Sequence, residues 1–498
     1  IMRLAEQLTA GRIAAIRLPS LTARALLIYL VFLIVFALNV FGFTDPDFWW
    51  HLKDGQLIVD NHTIPTADVF SHTFQGQPRV AQEWASEILL FLPFRAFGYA
   101  GDVILFAFIA TLSFFFVYRL CLSLGVSNLV SALVVFWAAM LARPAFTVRP
   151  LVLTWLFFAI FLASLYLYHR GRLRRLWHLP VLMVLWVNLH GGFIIGLGLI
   201  GLLVLARLGD RWVLKRPLPV GHLLAVLGLS VVAALINPGG LGGLVYPVGY
   251  AGFANPSAQF ISEWQSPDFH ESYWMLLIAS LVVFMALGVA NRRSGTWPIL
   301  LVGALATMSL QSVRHIPLYG LAMAPVLGET IVSRFNIRAT AGQAPSPKVL
   351  SHLNWLILLG ITAGFLGLAA AMPASQLQAL PVLARAIIPY PVAGAEYIRA
   401  NYPEARIFND YNWGGYLIYE LFPTQRVFVD GRADLYSPEF LSDYNHVVSL
   451  RPDWENILER YGIDLVICQK DSPLSLMLTA SSWNKVFSGD VEDVFVPR

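Results

Sequence analysis

Residues 44–55 read Thr-Asp-Pro-Asp-Phe-Trp-Trp-His-Leu-Lys-Asp-Gly. Asp45 and Asp47 stand two apart, with Pro46 stiffening the turn between them, and Trp49, Trp50 and His51 follow. Two close carboxylates suit two kinds of chemistry. Their hard oxygens can ligate a divalent cation such as Mg or Mn, or one can act as a general base while the other orients it. Asp-x-Asp also occurs in plain interfacial loops with aromatic anchors, so the pair gains weight only from its surroundings. Glu83, in Arg79-Val-Ala-Gln-Glu-Trp-Ala-Ser-Glu87, is placed to return to the first pair. Its plainer role is a charge at a helix N-terminus. Glu87, one turn on, shares that site or faces water.

Other polar groups interrupt apolar sequence. Asn188 and His190, in Asn-Leu-His-Gly-Gly, suit substrate oxygens or a helix break held by its own polar groups. Arg314-His315 opens an apolar run, where an arginine serves as a phosphate clamp or snorkels to headgroups. Arg143 and Arg149 carry the same ambiguity. Glu263 and Trp264, in Glu-Trp-Gln-Ser-Pro-Asp, suit a sugar or lipid-head pocket. Asn409, Asp410 and Trp413, then Asp430, Arg432 and Asp434, follow short strand-like runs. Ligands often bind at such strand ends, although ordinary turns and ion pairs sit there too. There is no CxxC, no Cys/His metal spacing and no dinucleotide glycine fingerprint. Nothing points to nucleic acid.

These residues must be positioned by membrane-spanning elements. Of 498 residues, 57% are hydrophobic and 13% charged, where soluble domains have about a quarter charged. Apolar runs approach the roughly 20 residues that cross a bilayer. They predict spans at 24–41, 101–119, 128–142, 151–168, 177–189, 193–206, 219–236, 273–290, 297–310, 315–332 and 353–372. With a cytoplasmic N-terminus, the inner segments hold 18 Lys and Arg, and the outward loops before residue 385 hold six: Lys53, Arg79, Arg95, Arg143, Arg149 and Arg314. That asymmetry is the positive-inside pattern, and it places the C-terminus outside. Cys121 and Cys468 then lie on opposite sides of the membrane. The expected organisation is a lead-in at 1–23, a transmembrane module at 24–384 with outward loops 42–100 and 237–272, and an extracytoplasmic domain at 385–498. Within the first loop, Trp84 to Phe97 reads as an interfacial amphipathic helix. Residues 339–347 read as a cytoplasmic linker.

The last segment carries 10 basic and 16 acidic residues, against 24 and 14 in the rest. It reads as a small α/β unit, with helices at 392–402, Trp413 to Phe422 and 453–461, and strands at 405–409, Arg426 to Val429 and 464–468. A Rossmann-like or other three-layer arrangement is expected. The fold class is thus an α-helical polytopic membrane protein of about eleven spans with a small extracytoplasmic α/β domain.

The Asp-Pro-Asp-x-Trp-Trp-His loop, with Gln-Glu-Trp later in it, resembles bacterial membrane glycosyltransferases of the GT-C type. Asn-x-His-Gly-Gly, Asn-Asp-Tyr-x-Trp-Gly-Gly-Tyr and Asp-Gly-Arg-x-Asp strengthen the resemblance and suggest a separate branch. It implies transfer of a sugar from a polyprenyl-phosphate donor to a lipid, glycan or protein acceptor outside the bacterial cytoplasmic membrane. It further implies an acidic residue of the first outward loop, Asp47 or Asp45, serving acceptor or metal, with Glu83 in support. Arg314, His315, His190 and Asn188 would hold the donor phosphate. The acceptor pocket would draw on Trp49, Trp50, His51, Glu263, Trp264 and the C-terminal polar segments. The Trp-Trp-Asp-type motif of oligosaccharyltransferases is missing, which argues against protein N-glycosylation. A catalytically silent membrane subunit or assembly protein on the same scaffold is the main alternative, with a membrane protein as its partner. A transporter comes third.

Overall fold

The computed structural model describes residues 20–40, 45–213, 215, 218–250, 261–288, 295–337, 348–371 and 389–498. The basic lead-in up to residue 19, the linker 339–347 and the junction 372–388 lie outside them.

Each expected span forms a helix over its described residues. In chain order the helical part comprises α1 (Ala23–Val40), α2 (Phe48–Asn61), α3 (Trp84–Phe97), α4 (Tyr99–Ser123), α5 (Asn128–Ala142), α6 (Leu151–His169), α7 (His178–Leu189), α8 (Phe193–Val213), α9 (Gly221–Ala234), α10 (Leu241–Tyr250), α11 (Met275–Gly288), α12 (Trp297–Gln311), α13 (Ile316–Phe335) and α14 (Lys348–Ala371). Among the described residues six helices are long and apolar enough to cross a membrane, and four more are apolar but shorter. The molecule is a multi-pass membrane protein. In a bilayer every backbone polar group must be paired within the protein, and helices do this without a neighbour. The bundle packs α13 along α5 and α4 along α6. Trp155, Trp186 and Trp297 fill its centre, with Phe157 stacked on Trp186 at 5.5 Å.

The helix α3 has the limits expected for a helix at 84–97, whereas the sequence pattern does not predict α2. The two pack closely because Gly55 lies against α3, where any Cβ would overlap the Glu87 carbonyl.

The C-terminal region adds α15 (Val392–Asn401), β1 (Ile407–Asn409), α16 (Gly414–Leu421), α17 (Pro438–Val448), α18 (Trp454–Arg460), β2 (Leu465–Gln469), α19 (Pro473–Ala480), β3 (Trp483–Ser488) and β4 (Glu492–Pro497). Its sheet runs β1-β2-β4-β3, parallel at the first pair and antiparallel at the other two. The Rossmann-like expectation therefore fails: a C-terminal hairpin, not a third parallel strand, completes the sheet.

The strand expected at Arg426 to Val429 is also not in the sheet. The Asn409 side chain takes its place as partner, accepting from the Phe428 N–H at 2.9 Å and donating to the Val429 carbonyl at 2.8 Å. Val427 pairs instead with the first loop. Its N–H donates to Phe70 O and its carbonyl accepts from His72 N–H, each at 3.0 Å. Thr73 donates to Phe428 O at 2.8 Å and Arg426 to Val69 O at 3.1 Å. The helix α2 lies against α16. The first loop is thus a layer between the helical bundle and the sheet-bearing region.

Candidate active site

Segments from seven places in the chain meet around one cavity of about 200 Å³. The first loop contributes Asp47, His51, Arg79, Glu83 and Glu87; the turn before α6 contributes Arg149; the α7–α8 break contributes His190. Tyr246, then Trp264, Arg314 and His315, and finally Gly431, Arg432 and Asp434 of the C-terminal region complete the lining.

Arg149 is the hub of the acidic side. Its guanidinium lies 2.6 Å from Asp47 Oδ2, 3.1 Å from Glu263 Oε2 and 3.6 Å from Asp45 Oδ2. Asp45 holds the turn by accepting the Asp47 N–H at 2.9 Å. Gly431 presses its backbone on Asp47, so that a Cβ there would overlap the carboxylate. Burial pushes the Asp47 carboxyl up to about 7; Arg149 opposes this, and Asp45 and Glu263 add to it. Taking charge out of water disfavours the ionised form unless a partner restores it.

Glu263 reaches this centre because its segment is strapped to the start of α13. Ser312 Oγ donates to Glu263 O at 2.9 Å, and the Val313 N–H donates to Gln265 O at 3.0 Å. Its carboxylate bridges Arg149 and Arg314, the latter at 2.8 Å. Despite burial, those two arginines hold Glu263 below the ordinary carboxylate value. Arg314 also lies over the Trp264 ring at 4.9 Å.

Glu83 stands between two imidazoles. Its Oε1 is 3.3 Å from His190 Nε2, and its Oε2 is 3.5 Å from His51 Nε2. Burial raises its pKa to about 7, against the pull of Arg149 and Arg314. His190 has a defined tautomer. Its Nδ1 accepts the Gly192 N–H at 2.9 Å and meets the Thr154 hydroxyl at 2.8 Å, so its proton is on Nε2. Burial first, then Arg314 and Arg149, keeps the ring well below the usual imidazole value and hence neutral. Arg314 Nη2 lies 3.2 Å from that same Nε2, so two N–H groups face one another.

The fold puts several sequence candidates elsewhere. Asn188 pins the helix break: it accepts from Trp84 Nε1 and donates to Val184 O and Ile236 O, each at 2.8 Å. Trp49 packs among Phe48, Phe94, Tyr390, Tyr416 and Tyr419. Asn409 replaces a strand partner, Asp410 caps the following turn through Asn412 N–H, and Trp413 is buried core with its indole bonded to Pro389 O. Asp430 grips Arg432 through both carboxylate oxygens at 2.8 and 2.7 Å, and Arg432 also reaches Asp68 at 2.6 Å. That buried knot fastens the first loop to the C-terminal region, although Arg432 still lines the cavity. Asp434 does face the cavity and accepts a short hydrogen bond from Tyr246.

By local pattern Arg149 carries no more weight than Arg143. The signal was present: Arg149-Pro150 sits immediately before an apolar run, at the mouth of a helix. Thr154 and Tyr246 had no such mark. Arg149 occupies the space between Asp45, Asp47 and Glu263, and among the described residues no group of three or more His, Cys, Asp or Glu could hold a metal ion.

No family model and no curated protein matches the chain. Solved structures do. The oligosaccharyltransferase AglB from Archaeoglobus fulgidus, in complex with an inhibitory peptide and a dolichol-phosphate, aligns over 95% of this chain and 74% of its own with a TM-score of 0.53 at 11% identity. The arabinofuranosyltransferase AftD from Mycobacteria aligns over 96% of this chain and 40% of its own, with a TM-score of 0.50 at 15% identity. The fold of this chain is similar to those of these two proteins over nearly its whole length.

Proposed function

We propose that the protein transfers a sugar from a polyprenyl-phosphate donor to an acceptor outside the cytoplasm, with Asp47 taking the acceptor's proton. The observation that carries this reading is the convergence of Asp47, Glu83, Arg149, His190 and Arg314 on one cavity. A silent subunit has no need to gather acids and arginines from distant segments. The fold supports the same direction, since AglB is a transferase described with a dolichol-phosphate.

The acceptor heteroatom bonds to the anomeric carbon of the donor as its proton passes to Asp47. The bond from that carbon to the phosphate oxygen breaks, and the electron pair leaves with the phosphate. A base of pKa near the working pH is well matched to such a transfer. The developing charge on the leaving phosphate falls to Arg314, which lines the same cavity. Glu83 orients the acceptor. Arg149 supplies the positive charge that a cation would otherwise give to Asp45 and Asp47. Bacterial inner-membrane location, a cytoplasmic N-terminus, eleven crossings and the domain limits given above belong to the same proposal.

The test is direct. Purified protein is incubated with a panel of polyprenyl-phosphate sugars and a lipid-extract acceptor pool, with and without chelator. Transfer that persists in chelator supports the reading. A first loop that protects no part of the cavity from labelling, together with no transfer from any donor, favours the silent subunit.

A further inference from the structure

In the first-loop wall of the cavity, His51 has a second carboxyl neighbour. Its Nε2 faces Glu83, and its Nδ1 faces Glu87 Oε1 at 3.4 Å. His51 and Glu87 are both about 1% exposed. Around them stand Arg79, Asp54 and Trp50, whose ring lies 3.5 Å from the His51 ring between centroids. Arg79 pairs closely with Asp54, and its distance to Glu87 is 3.6 Å. Arg79 lies much closer to Asp54 than to Glu87, so Asp54 takes the larger share of its charge. The far oxygen of Glu87 has no hydrogen-bond partner among the described residues.

A neutral imidazole carries a single N–H, so it cannot donate to carboxylates on both sides. One of the two acids must be the donor. We propose that Glu87 is a positioning residue, a buried neutral carboxylic acid that donates to His51 Nδ1 and so aims the ring's N–H at Glu83. His190 does the same from the other side, with Gly192 N–H and Thr154 filling its Nδ1. Glu83 then has an Nε2–H facing each oxygen, 3.3 Å away at His190 and 3.5 Å away at His51. Burial raises the Glu87 pKa well above the ordinary value, with Asp54 adding and Arg79 opposing, which agrees with the geometry. Burial likewise depresses His51. Gly55 makes the placement possible, because only a residue without Cβ lets α2 approach the Glu87 backbone.

The effect on turnover rests on the transfer reading; the direction of the hydrogen bond does not. Two measurements therefore separate them. Difference infrared spectra of the full-length protein at pH 7 should show the carbonyl stretch of a protonated carboxylic acid that Glu87→Gln removes. In the transfer assay, Glu87→Gln keeps a donor toward Nδ1 and should retain most of the parent rate. Glu87→Ala removes the donor and should lose about tenfold in kcat/KM, the worth of one aimed hydrogen bond. An infrared spectrum unchanged by Glu87→Gln would mean an ionised Glu87 and would overturn the proposal, whatever the enzyme's activity. So would a Glu87→Gln rate as low as that of Glu87→Ala in protein that transfers sugar normally.

Discussion

Replacing Arg149 by Met tests how the site controls its own base. The guanidinium is the sole salt-bridge partner of Asp47 among the described residues, at 2.6 Å, and it also neutralises Asp45 and shares Glu263 with Arg314. A unit charge near 4 Å at an effective dielectric of about 20 is worth about 4 kcal/mol, which sets a ceiling of about three pKa units. The other buried carboxylates relax once Arg149 is gone, so a shift of about two units, near 3 kcal/mol, is a realistic expectation. Asp47 would move from about 7 toward 9. At pH 7 the ionised fraction then falls from about half to about one in a hundred, a loss of roughly 50-fold. The loss should be recovered as pH approaches 9. Arg149→Lys keeps a charge but not the planar fork that spans three acids, and should fall between. The assay is kcat/KM against pH for the three proteins in detergent. An Arg149→Met profile with the parent's apparent pKa would refute the coupling. So would an activity that stays absent at pH 9 in folded protein.

Three further outcomes follow from the same geometry. Glu83 is raised from 4.5 to about 7, so its contribution to stability is present below about 4.5 and is lost as pH rises through 7. Glu83→Gln should therefore raise the melting temperature at pH 8, by an amount equivalent to roughly 1–2 kcal/mol after allowing for its 25% side-chain exposure, and should leave it unchanged at pH 4; a drop at pH 8 counts against a strained Glu83. Arg432→Met strands Asp430 and Asp68 in the knot between the first loop and the C-terminal region, costing about 3–5 kcal/mol, and limited proteolysis should then cut the first loop faster. For topology, Arg174→Cys and Ser437→Cys, in a background lacking Cys121 and Cys468, should differ: only the Ser437→Cys protein should take an impermeant label in intact cells, and equal labelling would contradict the crossing pattern.

The helices were legible in the sequence because bilayer-length apolar runs leave few alternatives. Expected and observed limits coincide at 128–142 and differ by a residue or two at most others. The short helix α2 was hidden because its polar His51, Lys53 and Asp54 break the apolar pattern, and each is placed by tertiary contacts. The false strand at 426–429 has β-prone residues, but a side chain, Asn409, took the pairing that a strand would have used. Among site residues, Asp47, Glu83, His190 and Arg314 stood out as polar groups beside apolar helices, and the fold gathers them. Asn188 and Asn409 stood out for the same reason, yet their amides satisfy backbone groups that helix breaks and turns leave open. Local pattern marks a costly polar residue without saying whether its partner is backbone or ligand. Arg149 shows the converse, since its weight comes from three acids far apart in sequence.

The most direct test of the central claim is transfer by Asp47→Asn. The substitution keeps the side chain's size and removes its charge and basicity. Radiolabelled sugar moved from polyprenyl phosphate to acceptor is counted for parent and variant at pH 8, after both are shown to insert and melt alike. The account predicts a parent that transfers and a variant slower by about 10²–10⁴-fold. A folded Asp47→Asn protein that transfers at the parent rate would contradict it.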